Sequence, residues 1–162
     1  MNTREKLKIN SKGHLEIGGC DTVELAARFG TPLYVFDEKY IRDMMRVYRD
    51  TIENEYDGKG LVLYASKAFS CLAMYRIAAQ ENIGADVVSG GELYTALKAG
   101  FPAEKIYMHG NNKLPAELKY AVASGVGTIV LDAYDEADML DELCAKAGRK
   151  QDVLIRINPG VE

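Results

Sequence analysis

The sequence predicts an α/β protein built on a parallel sheet, and three features of its 162 residues support that fold class. Short apolar runs rich in β-branched residues alternate after residue 55 with segments whose apolar residues recur at helical spacing. Successive runs lie roughly 20 to 25 residues apart, which is the length of one strand, one helix and two short loops. The runs are nearly continuous in apolar residues, as is typical of strands covered on both faces.

The predicted strands cover residues 60–65, 85–88, 105–108, 128–131 and 152–157. Their alternation with helices occurs both in (β/α)8 barrels and in doubly wound sheets. No G-x-G-x-x-G follows the first run and no G-x-x-x-x-G-K-[ST] occurs anywhere, which disfavours nucleotide-binding sheets. We therefore predict the first part of a (β/α)8 TIM barrel. Because a complete barrel takes about 250 residues, the predicted barrel is truncated after about five strands.

Capping residues mark the ends of the predicted helices. Asp37 is a plausible N-cap for the segment that follows it, and Ser89-Gly90-Gly91-Glu92 has the S-x-x-E form of a capping box. Pro115 is suited to the first turn of a helix that Gly125 would end, and the last helix should end at Gly148.

Residues 1–35 do not follow the alternating pattern. Residues 14–17 could form a short strand, and residues 23–29 a short helix that ends at Gly30. We therefore predict an N-terminal segment, residues 1–35, distinct from the partial barrel formed by residues 36–162.

Composition limits the classes of function. Hydrophobic residues make up 48% of the chain and charged residues 27%, as in soluble globular proteins. No apolar run approaches the ~20 residues that cross a bilayer, and the charged start, residues 1–8, lacks the apolar core of a secretory signal. We expect a cytoplasmic protein without a membrane role. The net charge of −4 argues against binding to nucleic acid.

The cysteines and histidines give no sign of a metal site. Cys20, Cys71 and Cys144 form no C-x-x-C pair, and His14 and His109 are the only histidines. We expect no bound metal, and we expect each cysteine to be a small buried hydrophobe.

Lys67 is the strongest candidate for a catalytic residue, because it follows the first predicted strand. Active sites of barrels lie at the carboxyl ends of the strands. A partly desolvated lysine there has a lowered pKa and a nucleophilic amine that can form a Schiff base with an aldehyde cofactor. A solvated lysine at a helix start also fits the position, and position alone favours that interpretation.

Three further side chains fall at the ends of predicted strands. Asp86 would lie near Lys67, where its carboxylate could orient the ammonium, although it could also be an acid flanking a helix. His109 could stack on or donate to a ligand, or could form a structural hydrogen bond. Arg156 lies on an apolar strand, so we predict that it is buried beside an anion, either Asp86 or a substrate carboxylate.

These residues lie in segments that together resemble a known family. The segments 30–37, 64–69, 86–93, 109–113 and 156–162 occur in order over nearly the whole chain. The segment around Lys67 resembles the cofactor-lysine motif of the alanine-racemase-like (fold type III) pyridoxal-phosphate decarboxylases. The others are similar to motifs of the diaminopimelate decarboxylases within that family. The resemblance is carried by the set, since any one of these motifs would be weak.

The resemblance implies a fold, a cofactor and roles for residues. It implies a pyridoxal-phosphate-binding (β/α)8 barrel with a second, β-rich domain, to which residues 1–35 would contribute. Lys67 would form the Schiff base with pyridoxal 5'-phosphate, Asp86 and Arg156 would support it, and Glu92 and His109 would lie around it.

The implied activity is decarboxylation of meso-2,6-diaminopimelate to L-lysine by an enzyme that is a homodimer at full length. Two alternatives stay open: a related ornithine- or arginine-type decarboxylase, and a non-catalytic pyridoxal-phosphate-binding barrel fragment. In this family the remaining catalytic groups come later in the chain, and none of the three cysteines matches the motif of the catalytic cysteine. We therefore expect the 162-residue chain alone to be inactive and poorly stable.

Overall fold

The computed structural model describes residues 7–160, and the chain divides into two compact units. The units are Met1–Val47 and Tyr48–Glu162, so the division falls inside a helix rather than after residue 35. The assignment of residues 1–35 to a second domain stays a prediction. Residues 1–6 of the predicted start, and Val161 and Glu162 of the last predicted motif, lie outside the described residues.

The first unit contains a small antiparallel sheet and a helix. Strands β1 (Lys8–Ile9), β2 (Leu15–Ile17) and β3 (Cys20–Asp21) pair in that order, and helix α1 (Thr22–Phe29) follows. The Asp21 carboxylate accepts hydrogen bonds from the amides of Val23 and Glu24, which explains where the helix begins. The predicted short strand and short helix of this segment are confirmed.

Helix α2 (Glu38–Glu55) begins directly after Asp37, as predicted. The Asp37 carboxylate accepts a hydrogen bond of 3.0 Å from the amide of Tyr40, which is the bond expected of an N-cap.

The second unit is built on a five-stranded parallel sheet. Its strands are β4 (Leu63–Ala65), β5 (Gly84–Val87), β6 (Ile106–Met108), β7 (Thr128–Leu131) and β8 (Asp152–Ile155), and they pair in sequence order. A doubly wound sheet reverses its strand order at a switch point, whereas the strands of a barrel follow one another. The predicted strands, and the predicted fold class of an α/β partial barrel, are confirmed.

Four helices connect these strands and bury one face of each on the sheet. They are α3 (Leu72–Gln80), α4 (Gly90–Lys98), α5 (Pro115–Ser124) and α6 (Tyr134–Ala147). The predicted ends hold: α5 begins at Pro115, and Gly125 and Gly148 take left-handed conformations after α5 and α6. Side chains with no exposed surface include Tyr75, Leu93, Ile106, Met108, Leu118 and Ile129. Burial of each such side chain contributes about 1.5–3 kcal/mol.

Strand β8 differs from the other four strands because its side chains are exposed. Ile155 and, beyond the strand, Ile157 are 74% and 79% exposed, whereas Ile129 on β7 is fully buried. Among the described residues β8 pairs on one side only, with β7. It is an edge of the sheet in this part of the chain.

None of the helices within 7–160 is both long and apolar enough to cross a bilayer. The cysteines are not buried hydrophobes as predicted: Cys20 is exposed and Cys71 and Cys144 are partly exposed. The buried apolar residues of the described chain include no cysteine.

Candidate active site

Lys67 lies on a short 3₁₀ turn, Ser66–Ala68, that follows β4 directly. The Lys67 side chain is exposed, while Ser66 beside it is completely buried. The Ser66 hydroxyl lies 2.6 Å from the carbonyl oxygen of Asp86 and 2.8 Å from a carboxylate oxygen of Glu92. Either oxygen can accept the one hydroxyl proton. These contacts hold the turn against β5 and α4, so the Lys67 side chain extends from a backbone that is fixed in place.

Asp86 lies on β5 directly opposite Ala65, the last residue of β4. Its Oδ1 atom is buried and has no hydrogen-bond partner among the described residues. Burial raises the pKa of the Asp86 carboxyl, and the Glu92 carboxylate adds to this effect. The charges of His109 and Lys67 oppose it. An unsatisfied buried carboxylate oxygen is costly, so this atom is suited to a ligand or to a protonated neighbour.

His109 follows β6 and faces Asp86. Its backbone amide donates to the carbonyl of Val87 at 2.8 Å, which continues the pairing of β5 and β6 by one residue. Its Nε2 atom lies 3.8 Å from Oδ1 of Asp86. That distance is too long for a hydrogen bond, and the imidazole is 37% exposed, so a ligand could reach it.

The prediction that Arg156 is buried is wrong. Its side chain is 62% exposed, because it follows the edge strand β8, which nothing covers in the described part of the chain. Its partner is also not Asp86: Nη1 lies 3.0 Å from Oδ1 of Asp132, at the end of β7. The Arg156 amide donates to the carbonyl of Leu131 at 2.9 Å, so its backbone is held at the same edge.

The sheet brings all four predicted site residues to one concave surface. Lys67, Asp86, His109 and Arg156 line it together with backbone and apolar atoms from the ends of β5 to β8. Within residues 7–160, no ion pair within 4.0 Å joins Lys67 to Asp86, although the Lys67 charge lowers the pKa of Asp86. The surface therefore combines an exposed amine, an unpartnered carboxylate oxygen, an imidazole and a guanidinium.

Sequence reasoning placed Glu92 in a capping box and near the site, but it missed that three glutamates join neighbouring loops. Glu92, Glu117 and Glu136 each occupy the third position of a helix and each accept a backbone N–H at or just before the N-cap. The prediction of a capping box at Ser89 was half right. Ser89 does accept from the amide of Glu92, but the Glu92 carboxylate accepts from Val88 rather than from Ser89.

Each glutamate also contacts a residue of the preceding βα unit. Glu117 and Glu136 do so through their other carboxylate oxygen, and Glu92 through the same oxygen. Glu92 binds Ser66, Glu117 accepts from the amide of Gly90 at 2.6 Å, and Glu136 pairs with Lys113 at 2.7 Å. The signal in the sequence was a glutamate at the third position of each helix, but the long-range partners required the fold.

Lys113 is buried, although it lies in the loop between β6 and α5. Its side chain is 1% exposed, and its ammonium contacts the carbonyls of Gly110 and Val130 and the carboxylate of Glu136, each at 2.7 Å. It does not line the concave surface. No group of three or more potential metal-ligating side chains occurs in residues 7–160.

Comparison with known proteins identifies relatives of this arrangement. Residues 41–162 match the family described as "Pyridoxal-dependent decarboxylase, pyridoxal binding domain". The diaminopimelate decarboxylase of Bacillus methanolicus is 52% identical over 96% of this chain, and that of Bacillus subtilis (strain 168) is 50% identical over 94%. A crystal structure of diaminopimelate decarboxylase from M. jannaschii in co-complex with L-lysine superimposes over the whole chain with a TM-score of 0.87 and 35% identity.

The chain spans only part of each of these proteins. It covers 36% of the Bacillus methanolicus protein, 35% of the Bacillus subtilis protein and 38% of the M. jannaschii structure. The similarity therefore concerns a little more than a third of each relative rather than a whole enzyme.

Proposed function

This chain belongs to the pyridoxal-dependent decarboxylase family, and from that premise we propose that it forms the lysine-bearing half of a pyridoxal-phosphate site. The enzyme it serves would decarboxylate meso-2,6-diaminopimelate to L-lysine, as the names of the relatives suggest. One observation carries the proposal: Lys67, Asp86, His109 and Arg156 line a single concave surface at the carboxyl ends of the strands.

The residues present fit this cofactor. The exposed Lys67 amine is free to bond an aldehyde, and the turn that carries it is fixed by buried Ser66. The unpartnered Oδ1 of Asp86 lies at the same surface and would gain a charged or protonated neighbour when the site is filled. Arg156 and His109 supply a cation and a ring nitrogen for anionic or polar groups of the ligand.

Each side chain would have a separate task. Pyridoxal phosphate, when bound, supplies an electron sink for the carbanion that remains after CO2 leaves. Lys67 would hold the cofactor and release it to the substrate amine. Asp86 would orient the lysine ammonium, while Arg156 would bind a carboxylate or phosphate oxygen through its guanidinium.

We also propose the wider setting of the enzyme. The full-length protein would work in the cytoplasm as a homodimer, and residues 1–35 would belong to its second, β-rich domain. The 52% identity to a diaminopimelate decarboxylase favours this substrate over ornithine or arginine, although a lysine/ornithine decarboxylase from Vibrio vulnificus also matches at 25% identity. A non-catalytic barrel fragment would have the same surface without turnover.

A substrate panel tests the proposal. The full-length protein that contains this chain, loaded with pyridoxal phosphate, should release CO2 from meso-2,6-diaminopimelate much faster than from ornithine or arginine. Preference for ornithine or arginine would support the related decarboxylase. Cofactor binding without CO2 release from any of the three would identify a non-catalytic protein.

A further inference from the structure

The burial of Lys113 requires an explanation, because an ammonium in a protein interior is costly unless it is paired and hydrogen-bonded. Its ammonium donates hydrogen bonds to two backbone carbonyls and forms an ion pair with the Glu136 carboxylate at 2.7 Å. A lysine in the loop between β6 and α5 could have extended into solvent at no such cost. Since Lys113 does not line the concave surface, its contacts serve the protein rather than a ligand directly.

One contact of Lys113 holds the turn that carries His109. Gly110 has φ of 115°, and a Cβ added there would lie 3.1 Å from the carbonyl oxygen of Val88. The turn thus lies close to the backbone that follows β5, and the Lys113 ammonium binds the Gly110 carbonyl at 2.7 Å. His109 is the residue immediately before this fixed glycine.

Glu136, the ion-pair partner of Lys113, fixes the backbone on the Arg156 side of the concave surface. Glu136 receives the Lys113 ammonium on Oε1 at 2.7 Å and the backbone N–H of Asp132 on Oε2 at 3.0 Å. Asp132 in turn pairs with Arg156 at 3.0 Å. The carboxylate of Glu136 therefore fixes the backbone from which the partner of Arg156 extends.

We propose that the buried Lys113–Glu136 pair is a positioning element that sets His109 and the Asp132–Arg156 pair at a fixed separation across the site. The ammonium also binds the Val130 carbonyl, so the pair fastens the loop after β6 to the end of β7 and to the first turn of α6. Lys113 and Glu136 are positioning residues, and their importance for turnover rests on the proposed function.

The alternative is that the pair only stabilises the fold, and variants of the full-length protein separate the two roles. Lys113→Met leaves the Glu136 carboxylate without its cation, whereas Lys113→Met/Glu136→Gln removes both charges. Loss of one partner of a buried pair is destabilising, and neutral replacement of both is much less so. Lys146→Met is the matched control, because Lys146 pairs with Glu142 at 3.0 Å on the exposed face of α6.

Hydrogen exchange in the cofactor-free protein tests positioning without any assumption about function. Amides of residues 109–112 and 131–134 should exchange at least about tenfold faster in Lys113→Met and in the double variant. Amides of β4 and β5, and those of the Lys146→Met control, should keep wild-type rates. Unchanged exchange at 109–112 and 131–134, or an equal increase in all five strands, would overturn the proposal.

Cofactor affinity gives the second measurement on the same proteins. The double variant should recover the wild-type melting temperature while its dissociation constant for pyridoxal phosphate stays at least about tenfold higher, a difference of roughly 1.4 kcal/mol. If both the melting temperature and the dissociation constant return to the wild-type values, the pair only stabilises the fold. If the wild-type protein binds no pyridoxal phosphate, the proposed function fails, and the exchange rates alone decide the positioning claim.

Discussion

The Ser66 hydroxyl lies 2.8 Å from a carboxylate oxygen of Glu92, a residue 26 positions later in the chain. The same Glu92 oxygen accepts the amide of Val88 at 2.7 Å. One carboxylate thus ties the turn that carries Lys67 to the loop that begins α4. The location of the candidate catalytic lysine is therefore set by a contact between two neighbouring βα units, and not by the turn alone.

Replacement of Ser66 should weaken this connection. Ser66→Ala removes the hydroxyl proton shared by Glu92 and the Asp86 carbonyl, and we expect the free energy of unfolding to fall by about 1–3 kcal/mol. Urea denaturation of the cofactor-free full-length protein measures the loss. Ser124→Ala is the control, since the structure gives Ser124 no side-chain hydrogen bond within residues 7–160. Equal effects of the two substitutions would contradict this role for Ser66.

Asp86 should make stability depend on pH. Because burial raises the pKa of this carboxyl, the folded protein binds a proton there more tightly than the unfolded chain does. Its contribution is fully present below the ordinary aspartate pKa of about 3.9 and is lost as pH rises through the higher folded value. The cofactor-free wild type should therefore lose stability relative to Asp86→Asn between pH 4 and neutrality, as denaturation at several pH values would show. A constant difference would refute the prediction.

Gly127, just before β7, should tolerate no side chain. A Cβ there would overlap the backbone carbonyl of Glu104, which cannot move as a flexible side chain could. We expect Gly127→Ala to lower the free energy of unfolding by about 3 kcal/mol, the upper part of the usual range for overpacking. Gly91→Ala is the comparison, because its nearest atom would be Ser89 Oγ at an ordinary 3.8 Å. Denaturation curves of similar midpoint for the two variants would show that the close approach is not a real constraint.

The 162-residue chain expressed alone should associate or unfold readily. Its β8 edge presents Leu154 and Ile155 at 52% and 74% exposure, and an exposed apolar edge strand invites pairing with other chains. Size-exclusion chromatography and thermal melting would measure this behaviour, with the full-length protein as control. A monomer that melts cooperatively and releases CO2 from diaminopimelate would contradict the expectation.

The fold was predictable because its signals are local. Each strand of the sheet is a short apolar run, and residues such as Asp37, Pro115 and Gly125 mark helix ends through their own backbone and capping preferences. The placement of Lys67 and Asp86 on one surface also followed from the sequence, since parallel strands place their carboxyl ends at one edge.

The partners of the charged residues were not predictable in the same way. The exposure of Arg156 depends on what lies beside β8, and its pairing with Asp132 depends on the neighbouring strand. The burial of Lys113 depends on Gly110, Val130 and Glu136 meeting at one point. No local pattern in the sequence records such a meeting of separate loops.

The central claim is that Lys67 holds pyridoxal phosphate. Borohydride reduction of the full-length protein with bound pyridoxal phosphate, followed by peptide mass mapping, tests it most directly. We predict a pyridoxyl group on Lys67 and its absence in Lys67→Arg, while Lys113, fully engaged in the interior, stays unmodified. A reduced protein that carries no adduct on Lys67, or carries it on another lysine, would contradict the assignment.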